Sequence, residues 1–172
     1  MSTAVFAPDL VQAAGLLLAK ARQNGLRITT AESCTGGLIA ALLTDVAGSS
    51  DVFERGFVSY SNAAKVEMLG VPPALIDTHG AVSAPVACAM AEGALHHCPA
   101  DIAIAVTGIA GPGGGSAAKP VGLVQFACAR RGGATVQHEA RYGDCGRSMV
   151  RFQTVAKALQ LLAAAIDGPK SV

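Results

Sequence analysis

The sequence is poor in aromatic residues and in charge. It contains no tryptophan, aromatic residues make up 4% of the 172 residues, and charged residues make up 15%, with a formal net charge of +1. A near-neutral chain without a lysine and arginine cluster lacks the electrostatic footprint of a nucleic-acid-binding protein, so no nucleic-acid partner is expected. Because 51% of the residues are hydrophobic, the chain can bury a large core, which argues against disorder.

Paired cysteines and long apolar runs are missing as well. The five cysteines, Cys34, Cys88, Cys98, Cys128 and Cys145, form no CxxC pair. An odd count without such a pair argues against a disulfide framework or a zinc knuckle and favours a reducing compartment. The apolar runs at 13–21 and 158–166 are too short to span a bilayer, and the N-terminus has no signal-peptide pattern. We therefore expect a cytoplasmic protein without a membrane partner.

The four histidines have no spacing that would join them into a metal site. His96 and His97 fall at a predicted helix end, His79 falls in a turn, and His138 falls in a predicted strand. Metal sites in proteins need several ligands brought to one point, which HxH or HxxE spacing would favour. We expect neither a metal nor a cofactor.

Helix and strand patterns alternate along the chain and predict an α/β fold. Helices are predicted from Pro8 to an Asn24-Gly25 stop, at 38–46 and 63–69, from Ala84 to about His96, and at 147–166, and strands at 27–31, 57–60, 101–106, 121–129 and 134–141. Asn62 is the predicted cap of the 63–69 helix, and Gly70 with Pro72-Pro73 its stop. This order predicts a three-layer α/β/α sandwich with a mixed β-sheet. The length predicts one domain over residues 1–172.

The turn at residues 32–37 joins a predicted strand to a predicted helix. Ligands of open α/β sheets bind beyond the carboxyl ends of strands, and a helix N-terminus offers unpaired N–H groups there. Ser33 is therefore a candidate nucleophile with oxyanion donors nearby, and Cys34 is a rival, because a helix N-terminus lowers a thiol pKa. Position alone nevertheless favours a plain helix cap at Ser33 or Thr35 and a buried apolar role for Cys34.

A second junction, residues 107–116, leaves a predicted buried strand and is rich in glycine. Successive glycine N–H groups can form an anion-binding nest. The segment is neither a Walker loop, because no Gly-Lys-Ser/Thr follows, nor a GxGxxG turn that opens a helix. A nucleotide-binding loop and a flexible surface loop fit this segment equally well.

Tyr60 and Lys65 stand at a third junction, between a predicted strand and the helix after it. A lysine near the carboxyl edge of a sheet can be desolvated, which lowers its pKa and makes it usable as a general base. A serine with a lysine is a known variant of the serine triad. A solvated helix lysine is the commoner role for this residue type.

Five segments together resemble the CinA C-terminal domain family: 30–37, 53–62 with Lys65, 69–71, 79–83 and 105–114. The resemblance covers almost the whole chain. Members of this family include nicotinamide-nucleotide amidases, which convert nicotinamide mononucleotide and water to nicotinate mononucleotide and ammonia in pyridine-nucleotide salvage. The resemblance therefore implies an amidohydrolase with a small-molecule nucleotide substrate.

The resemblance also implies the residues of the site. The catalytic serine, tyrosine and lysine of the family fall on Ser33, Tyr60 and Lys65. The implied substrate contacts are Glu32, Cys34, Thr35, Gly36, Gly37, Thr107, Gly108, Gly111, Gly113, Arg141 and Arg147. The family's Gly-Asp-Arg run is interrupted here, since Cys145 and Gly146 separate Gly143-Asp144 from Arg147. Arg141, Arg147 and Arg151 are therefore all candidates for the phosphate.

The implied mechanism is an acyl transfer. Neutral Lys65 takes the hydroxyl proton of Ser33, and Tyr60 orients the pair or relays the proton. Ser33 attacks the carboxamide carbon, while backbone N–H groups of residues 34–37 stabilise the oxyanion. An arginine and the 107–114 loop hold the 5′-phosphate, which positions the amide.

Two other functions stay open. One is a regulatory module of competence or damage response that binds a nucleotide without hydrolysing it, and the other is an amidase for a different phosphorylated amide. The intact Ser33, Tyr60 and Lys65 favour an enzyme. The high alanine and glycine content of the helices allows close packing between subunits, so a homodimer or a higher homo-oligomer is expected.

Overall fold

A five-stranded mixed β-sheet lies at the centre of the structure, a computed structural model that describes residues 5–168. The strands are β1 (Ile28–Glu32), β2 (Phe53–Val58), β3 (Ile102–Gly108), β4 (Leu123–Arg130) and β5 (Val136–Arg141). Their order is β2-β1-β3-β4-β5, with β1 parallel to β2 and β3, and with β4 antiparallel to β3 and β5. The predicted α/β fold with a mixed sheet is confirmed, and its three parallel strands end at one edge.

Within residues 5–168, six α-helices cover the two faces of this sheet. They are α1 (Pro8–Gln23), α2 (Leu38–Asp45), α3 (Asn62–Leu69), α4 (Pro73–His79), α5 (Ala84–His96) and α6 (Arg147–Asp167), and a 3₁₀ turn occupies Ser49–Asp51. Pro8 opens α1 because a helix needs no N–H from its first turn. Gly25, with a φ of 66°, follows the end of α1, where only a residue without a side chain adopts this angle at no cost.

The two faces of the sheet carry different side chains, because successive residues of a strand point to opposite sides. The face toward α1, α2 and α6 is built of large residues: Ile28, Ile102, Ile104, Val106, Val124 and Phe126. The face toward α3, α4 and α5 is built of alanines: Ala31, Ala103, Ala105, Ala127 and Ala129. The small side chains let α5 pack closely on β3 and β4, and the helices on both faces confirm the three predicted layers.

Gly93 lies where α5 meets the end of α3. A Cβ atom at this position would lie 1.9 Å from the carbonyl oxygen of Leu69. A backbone oxygen cannot move aside as a flexible side chain can, so only glycine fits at this crossing. The contact fixes α3, and with it Lys65, against the sheet.

Helix α6 is the one helix in the described part of the chain that is long and apolar enough, by length and composition, to cross a membrane. In the fold it lies along the sheet. Its buried side chains include Val150, Val155, Ala158 and Leu162, which join the core beneath β3 and β4. This is the arrangement of a core helix.

Three local predictions are wrong. Ser61 rather than Asn62 caps α3, with its Oγ accepting a 3.0 Å hydrogen bond from the N–H of Ala64. Strand β2 ends at Val58, so Tyr60 lies in the following turn. The prolines predicted to be only a stop lead into α4, because Pro73 fits the first position of a helix. The predicted single domain also includes residues 1–4 and 169–172, which lie outside the described residues.

Candidate active site

A cavity of about 220 Å³ opens at the carboxyl ends of β1, β2 and β3. This is the edge at which α/β sheets bind ligands. The lining residues are Ser33, Cys34, Tyr60, Asn62, Lys65, Ala81, Val82, Thr107, Gly108, Ala110 and Arg147. All three predicted junctions therefore meet at one place, and each contributes residues to its wall.

Lys65 and Ser33 are in direct contact in this cavity. The Lys65 side chain is buried, with 1% of the residue exposed. Its Nζ lies 3.0 Å from Ser33 Oγ, 2.9 Å from the carbonyl oxygen of Ser59 and 3.4 Å from that of Tyr60. A charged ammonium has three N–H donors, which these three acceptors satisfy. A neutral amine can still donate to both carbonyls and turn its lone pair to the serine hydroxyl.

Burial lowers the pKa of Lys65 below its usual value, because desolvation disfavours the charged ammonium. None of the ion pairs within residues 5–168 involves this lysine, so no carboxylate offsets the effect. A larger fraction of Lys65 is therefore neutral near physiological pH than for a surface lysine. An amine at this position, in its neutral form, can accept a proton from the Ser33 hydroxyl.

Cys34, the rival nucleophile, is 5% exposed and belongs to the hydrophobic core. Burial raises the pKa of its thiol to about 12. Desolvation thus outweighs the lowering expected from a helix N-terminus, and the thiol stays protonated at neutral pH. Since the thiolate is the reactive form of cysteine, the structure favours Ser33 over Cys34.

Glu32 is fully buried and holds the turn that carries Ser33. Its carboxylate accepts hydrogen bonds from Thr35 Oγ1 at 2.6 Å and from the N–H groups of Gly37, Ile39 and Ala40 at 3.1, 3.0 and 2.9 Å. A carboxylate at a helix N-terminus satisfies free N–H groups and interacts favourably with the helix dipole. This corrects the predicted substrate contact of Glu32, whose oxygens are used by α2.

The other predicted glycine and threonine contacts divide into two groups. Thr107 and Gly108 line the cavity, and Thr107 Oγ1 donates a 2.9 Å hydrogen bond to the carbonyl oxygen of Ala81. The residues not found among the lining residues are Thr35, Gly36, Gly37, Gly111 and Gly113. The turn and loop glycines therefore shape the backbone behind the wall, and Gly111 offers its carbonyl oxygen to Arg147.

The three candidate arginines have three different positions. Arg147 lines the cavity, and its guanidinium donates 2.9 Å hydrogen bonds to Tyr60 Oη and to the carbonyl oxygen of Gly111. Arg151 donates to carbonyl oxygens of the Ser33 turn. Arg141 is exposed on β5, where it pairs with Glu139 at 2.7 Å. The structure thus brings Arg147 to the site and leaves Arg141 outside the set of lining residues.

Tyr60 takes part in the site through two separate groups. Its backbone carbonyl faces Lys65, whereas its hydroxyl accepts from Arg147 and the residue is 59% exposed. Among the described residues, neither Ser33 nor Lys65 is hydrogen-bonded to this hydroxyl. In this structure the phenol contacts Arg147 at the cavity mouth, and its orienting or relaying role stays a prediction.

Three lining residues were not predicted, namely Asn62, Ala81 and Val82, whereas Ala110 belongs to the 107–114 loop that is predicted to line the site. Asn62 was assigned to a helix cap, but it stands at the first position of α3 with its residue exposed beside the cavity. Ser61 and Asn62 are both favourable N-cap residues, so the sequence alone does not decide which of them caps α3. Ala81 and Val82 lie in the 79–83 segment that carries part of the family resemblance, but their apolar side chains indicate no chemistry by themselves.

The sequence also matches the CinA C-terminal domain over residues 11–166. The chain belongs to the CinA C-terminal domain family. A solved structure from Agrobacterium tumefaciens, described as competence/damage inducible protein CihA, is 51% identical in sequence. It superposes on this CinA domain with a TM-score of 0.93 and covers 96% of this chain and 100% of its own.

Two curated relatives show how this CinA domain occurs. Nicotinamide-nucleotide amidohydrolase PncC of Escherichia coli (strain K12) is 54% identical over 142 residues, which are 82% of this chain and 85% of the relative. A CinA-like protein of Mycolicibacterium vanbaalenii is 54% identical over 144 residues, which are 84% of this chain and 34% of the relative. The chain thus spans about a third of that longer relative, and 28% of another from Symbiobacterium thermophilum.

Within the described part of this CinA domain, no group of three or more histidine, cysteine, aspartate and glutamate side chains is placed to hold a metal ion. The polar side chains that line the cavity carry two hydroxyls, a thiol, an amine, a phenol, an amide and a guanidinium. Such a set can activate a serine and bind an anion. It is suited to acyl transfer on a substrate that carries a negative group.

Proposed function

We propose that this chain hydrolyses the carboxamide of nicotinamide mononucleotide and releases ammonia and nicotinate mononucleotide. The observation that carries this proposal is the 3.0 Å contact between Lys65 Nζ and Ser33 Oγ in a buried corner of the cavity. The name of the Escherichia coli relative supports the substrate, because this chain matches 85% of its length at 54% identity. Because the sequence match extends over most of that relative, it favours the same reaction for this chain.

The chemistry proceeds in two halves around Ser33. In the first half, Lys65 accepts the hydroxyl proton while Oγ bonds to the carboxamide carbon. The tetrahedral intermediate then expels the amine, which leaves as ammonia after taking that proton from Lys65. In the second half, Lys65 deprotonates a water that attacks the acyl carbon, and the proton returns to Oγ as the carboxylate product leaves. Lys65 is thus neutral at the start of each half.

The oxyanion is stabilised by the backbone N–H directly after Ser33. Of the N–H groups at 34–37, that of Gly36 donates to the carbonyl oxygen of Ser33 and that of Gly37 donates to Glu32. Those of Cys34 and Thr35 make no hydrogen bond within residues 5–168. Cys34 lines the cavity, whereas Thr35 is fully buried and does not, so the N–H of Cys34 is the donor we assign to the oxyanion.

Arg147 binds the 5′-phosphate in this proposal. It is the arginine among the residues that line the cavity, and Tyr60 Oη and the carbonyl oxygen of Gly111 hold its guanidinium at the mouth. Guanidinium groups bind phosphate oxygens through charge-assisted, often bidentate hydrogen bonds. Holding the phosphate fixes the nicotinamide ring and places its carboxamide over Ser33.

We further propose that the enzyme is a single domain that works in the cytoplasm as a homodimer or higher homo-oligomer, without a cofactor, nucleic acid or membrane partner. The near-neutral charge supports the absence of a nucleic-acid partner, and the unpaired cysteines support a reducing compartment such as the cytoplasm. Exposed apolar side chains on α1 and α6, namely Leu16, Met149 and Phe152, support contact between copies. Sedimentation equilibrium of the purified chain tests the oligomer, and a monomer at micromolar concentration would contradict it.

Ammonia release tests the reaction itself. The chain is incubated with nicotinamide mononucleotide, and ammonia is measured beside the binding of the nucleotide by calorimetry. Ammonia with saturation kinetics supports the amidase. Tight binding without ammonia release would identify a nucleotide-binding module. Ammonia release only from another phosphorylated amide would show that this amide, and not nicotinamide mononucleotide, is the substrate.

A further inference from the structure

Arg151 reaches the Ser33 turn from the opposite side to Glu32. Its Nε donates a 3.1 Å hydrogen bond to the carbonyl oxygen of Cys34, and its Nη2 donates a 2.9 Å bond to that of Thr35. The arginine is anchored in the second turn of α6, whose neighbouring Val150 and Val155 are fully buried in the core. The turn is thus held by a carboxylate that accepts its N–H groups and by a guanidinium that donates to its carbonyls.

We infer that Arg151 is a positioning residue, which aims the N–H of Cys34, directly after Ser33, at the oxyanion. This inference rests on the proposed amide hydrolysis for its substrate. It assigns Arg151 to the backbone of the catalytic turn and not to the phosphate of the substrate, for which the sequence left it a candidate.

The geometry of the peptide unit carries the first step of the argument. In a trans peptide the carbonyl group and the N–H of the next residue lie in one plane and point in opposite directions. The bond from Nε to the Cys34 carbonyl therefore fixes the plane that contains the Thr35 N–H. Thr35 is fully buried, so its N–H is not offered to the cavity, and the bond from Arg151 instead holds the peptide unit that follows Cys34 in one orientation.

A second step connects Arg151 to the N–H of Cys34. Its bond to the Thr35 carbonyl fixes the plane of the next peptide, whose N–H belongs to Gly36. That N–H donates a 3.1 Å hydrogen bond to the carbonyl oxygen of Ser33. The Ser33 carbonyl shares its plane with the N–H of Cys34, which is thereby turned to the opposite side. One guanidinium thus holds both peptide units that follow Cys34 and, through the Gly36 N–H, sets the direction of the assigned oxyanion donor.

Charge supports the same role. The two bonds are charge-assisted, which makes them about twice as strong as neutral ones. Gly36 lies beside the guanidinium, and its φ of 59° is one that other residues rarely adopt, so glycine gives the turn the backbone shape that Arg151 holds. Lysine could bond one of the carbonyls, but its single ammonium cannot match the planar fork that serves both.

The test compares Arg151→Gln and Arg151→Lys with Arg130→Gln. Arg130 is a matched control, because its Nη1 also donates to two carbonyl oxygens, those of Ala165 and Gly168, at 2.7 and 2.8 Å, far from Ser33 in the chain and outside the cavity wall. For each variant, kcat and KM are measured with nicotinamide mononucleotide and with nicotinamide riboside. Acylation of Ser33 by p-nitrophenyl acetate is measured as well, together with thermal unfolding.

We expect Arg151→Gln to lower kcat about 100-fold for both the mononucleotide and the riboside, with KM nearly unchanged, because a misaligned or lost oxyanion donor costs about that much. Ester acylation falls by a similar factor, Arg151→Lys loses about tenfold, and Arg130→Gln keeps its kcat even if its unfolding temperature drops equally. A raised KM for the mononucleotide alone would overturn the inference in favour of phosphate binding. A kcat within threefold of wild type in a folded Arg151→Gln or Arg151→Lys protein would overturn it outright.

The two proposals fail separately. A wild-type chain that releases no ammonia but is acylated by the ester overturns the proposed substrate, and the ester rates then decide the role of Arg151. If Arg151→Gln does not fold, the same criteria apply to Arg151→Lys, which keeps the charge and one hydrogen bond.

Discussion

Lys65 Nζ lies 3.0 Å from Ser33 Oγ, although 31 residues separate them and each comes from a different element. The two backbone carbonyls of Ser59 and Tyr60 complete the surroundings of the amine. These carbonyls orient the amine in either protonation state, and burial without a carboxylate partner favours the neutral one. Proton transfer from Ser33 therefore needs no rearrangement of Lys65.

The pH dependence of kcat should follow Lys65. Because burial lowers its pKa from the usual 10.5, activity should rise with pH as the amine loses its proton and should fall as pH drops through the lowered pKa. Lys65→Arg should be inactive at every pH, since arginine stays protonated. Lys20→Met, which removes an exposed lysine paired with Asp167, is the control. A wild-type profile without an acid limb would exclude Lys65 as the base.

The same pKa shift makes folding stability depend on pH. Between the lowered pKa and 10.5 the unfolded chain binds the Lys65 proton and the folded chain does not. The free energy of unfolding therefore gains a term from Lys65 that increases with pH across this window. Urea unfolding from neutral pH to 10.5 should show a steeper rise for wild type than for Lys65→Met. Parallel curves for the two proteins would contradict a depressed pKa.

Arg147→Gln should weaken binding of the phosphorylated substrate. Loss of charge-assisted bonds to the phosphate should raise KM for nicotinamide mononucleotide about 10- to 100-fold and should leave that for the riboside nearly unchanged. Arg141→Gln is a matched control, because its exposed pair with Glu139 contributes little. Steady-state kinetics measure KM for each of the two substrates. Equal losses for mononucleotide and riboside would show that Arg147 does not contact the phosphate.

Two glycine-to-alanine changes should move stability in opposite directions. Gly93→Ala should lower the free energy of unfolding by about 1–3 kcal/mol or more, because the new methyl group meets the Leu69 carbonyl oxygen at 1.9 Å. Gly15→Ala in α1 has nothing within 4 Å and should raise it by about 0.5–1 kcal/mol. Chemical unfolding measures both. A neutral Gly93→Ala would mean that α3 and α5 are less closely packed.

Much of the fold could be predicted because its signals are local. The alternation of helices and strands, the Gly25 stop and the Pro85 start each depend on residues close in sequence. Helix α4 could not be predicted in the same way, because Pro73 fits both a helix stop and a helix start. Tertiary packing of Ile76 in the alanine-lined half of the core decides between them.

The candidate site was predictable to the level of residue type and junction. Ser33, Lys65 and Thr107 follow or flank strands that end at one edge, so their meeting could be expected. The directions of the long side chains could not be predicted. Sequence position does not determine which of Arg147 and Arg151 faces the cavity and which binds backbone carbonyls. Glu32 was misjudged because a fully buried carboxylate is rare unless its oxygens are all paired, as they are here by α2.

The most direct test of the account is ammonia release from nicotinamide mononucleotide by Ser33→Ala and Cys34→Ala proteins, measured beside wild type at saturating substrate. The account predicts that Ser33→Ala loses about a thousandfold or more of kcat. Cys34→Ala removes only a protonated, buried thiol and should stay within about tenfold of wild type. Normal turnover by Ser33→Ala, or inactivation by Cys34→Ala alone, would contradict the serine and lysine mechanism.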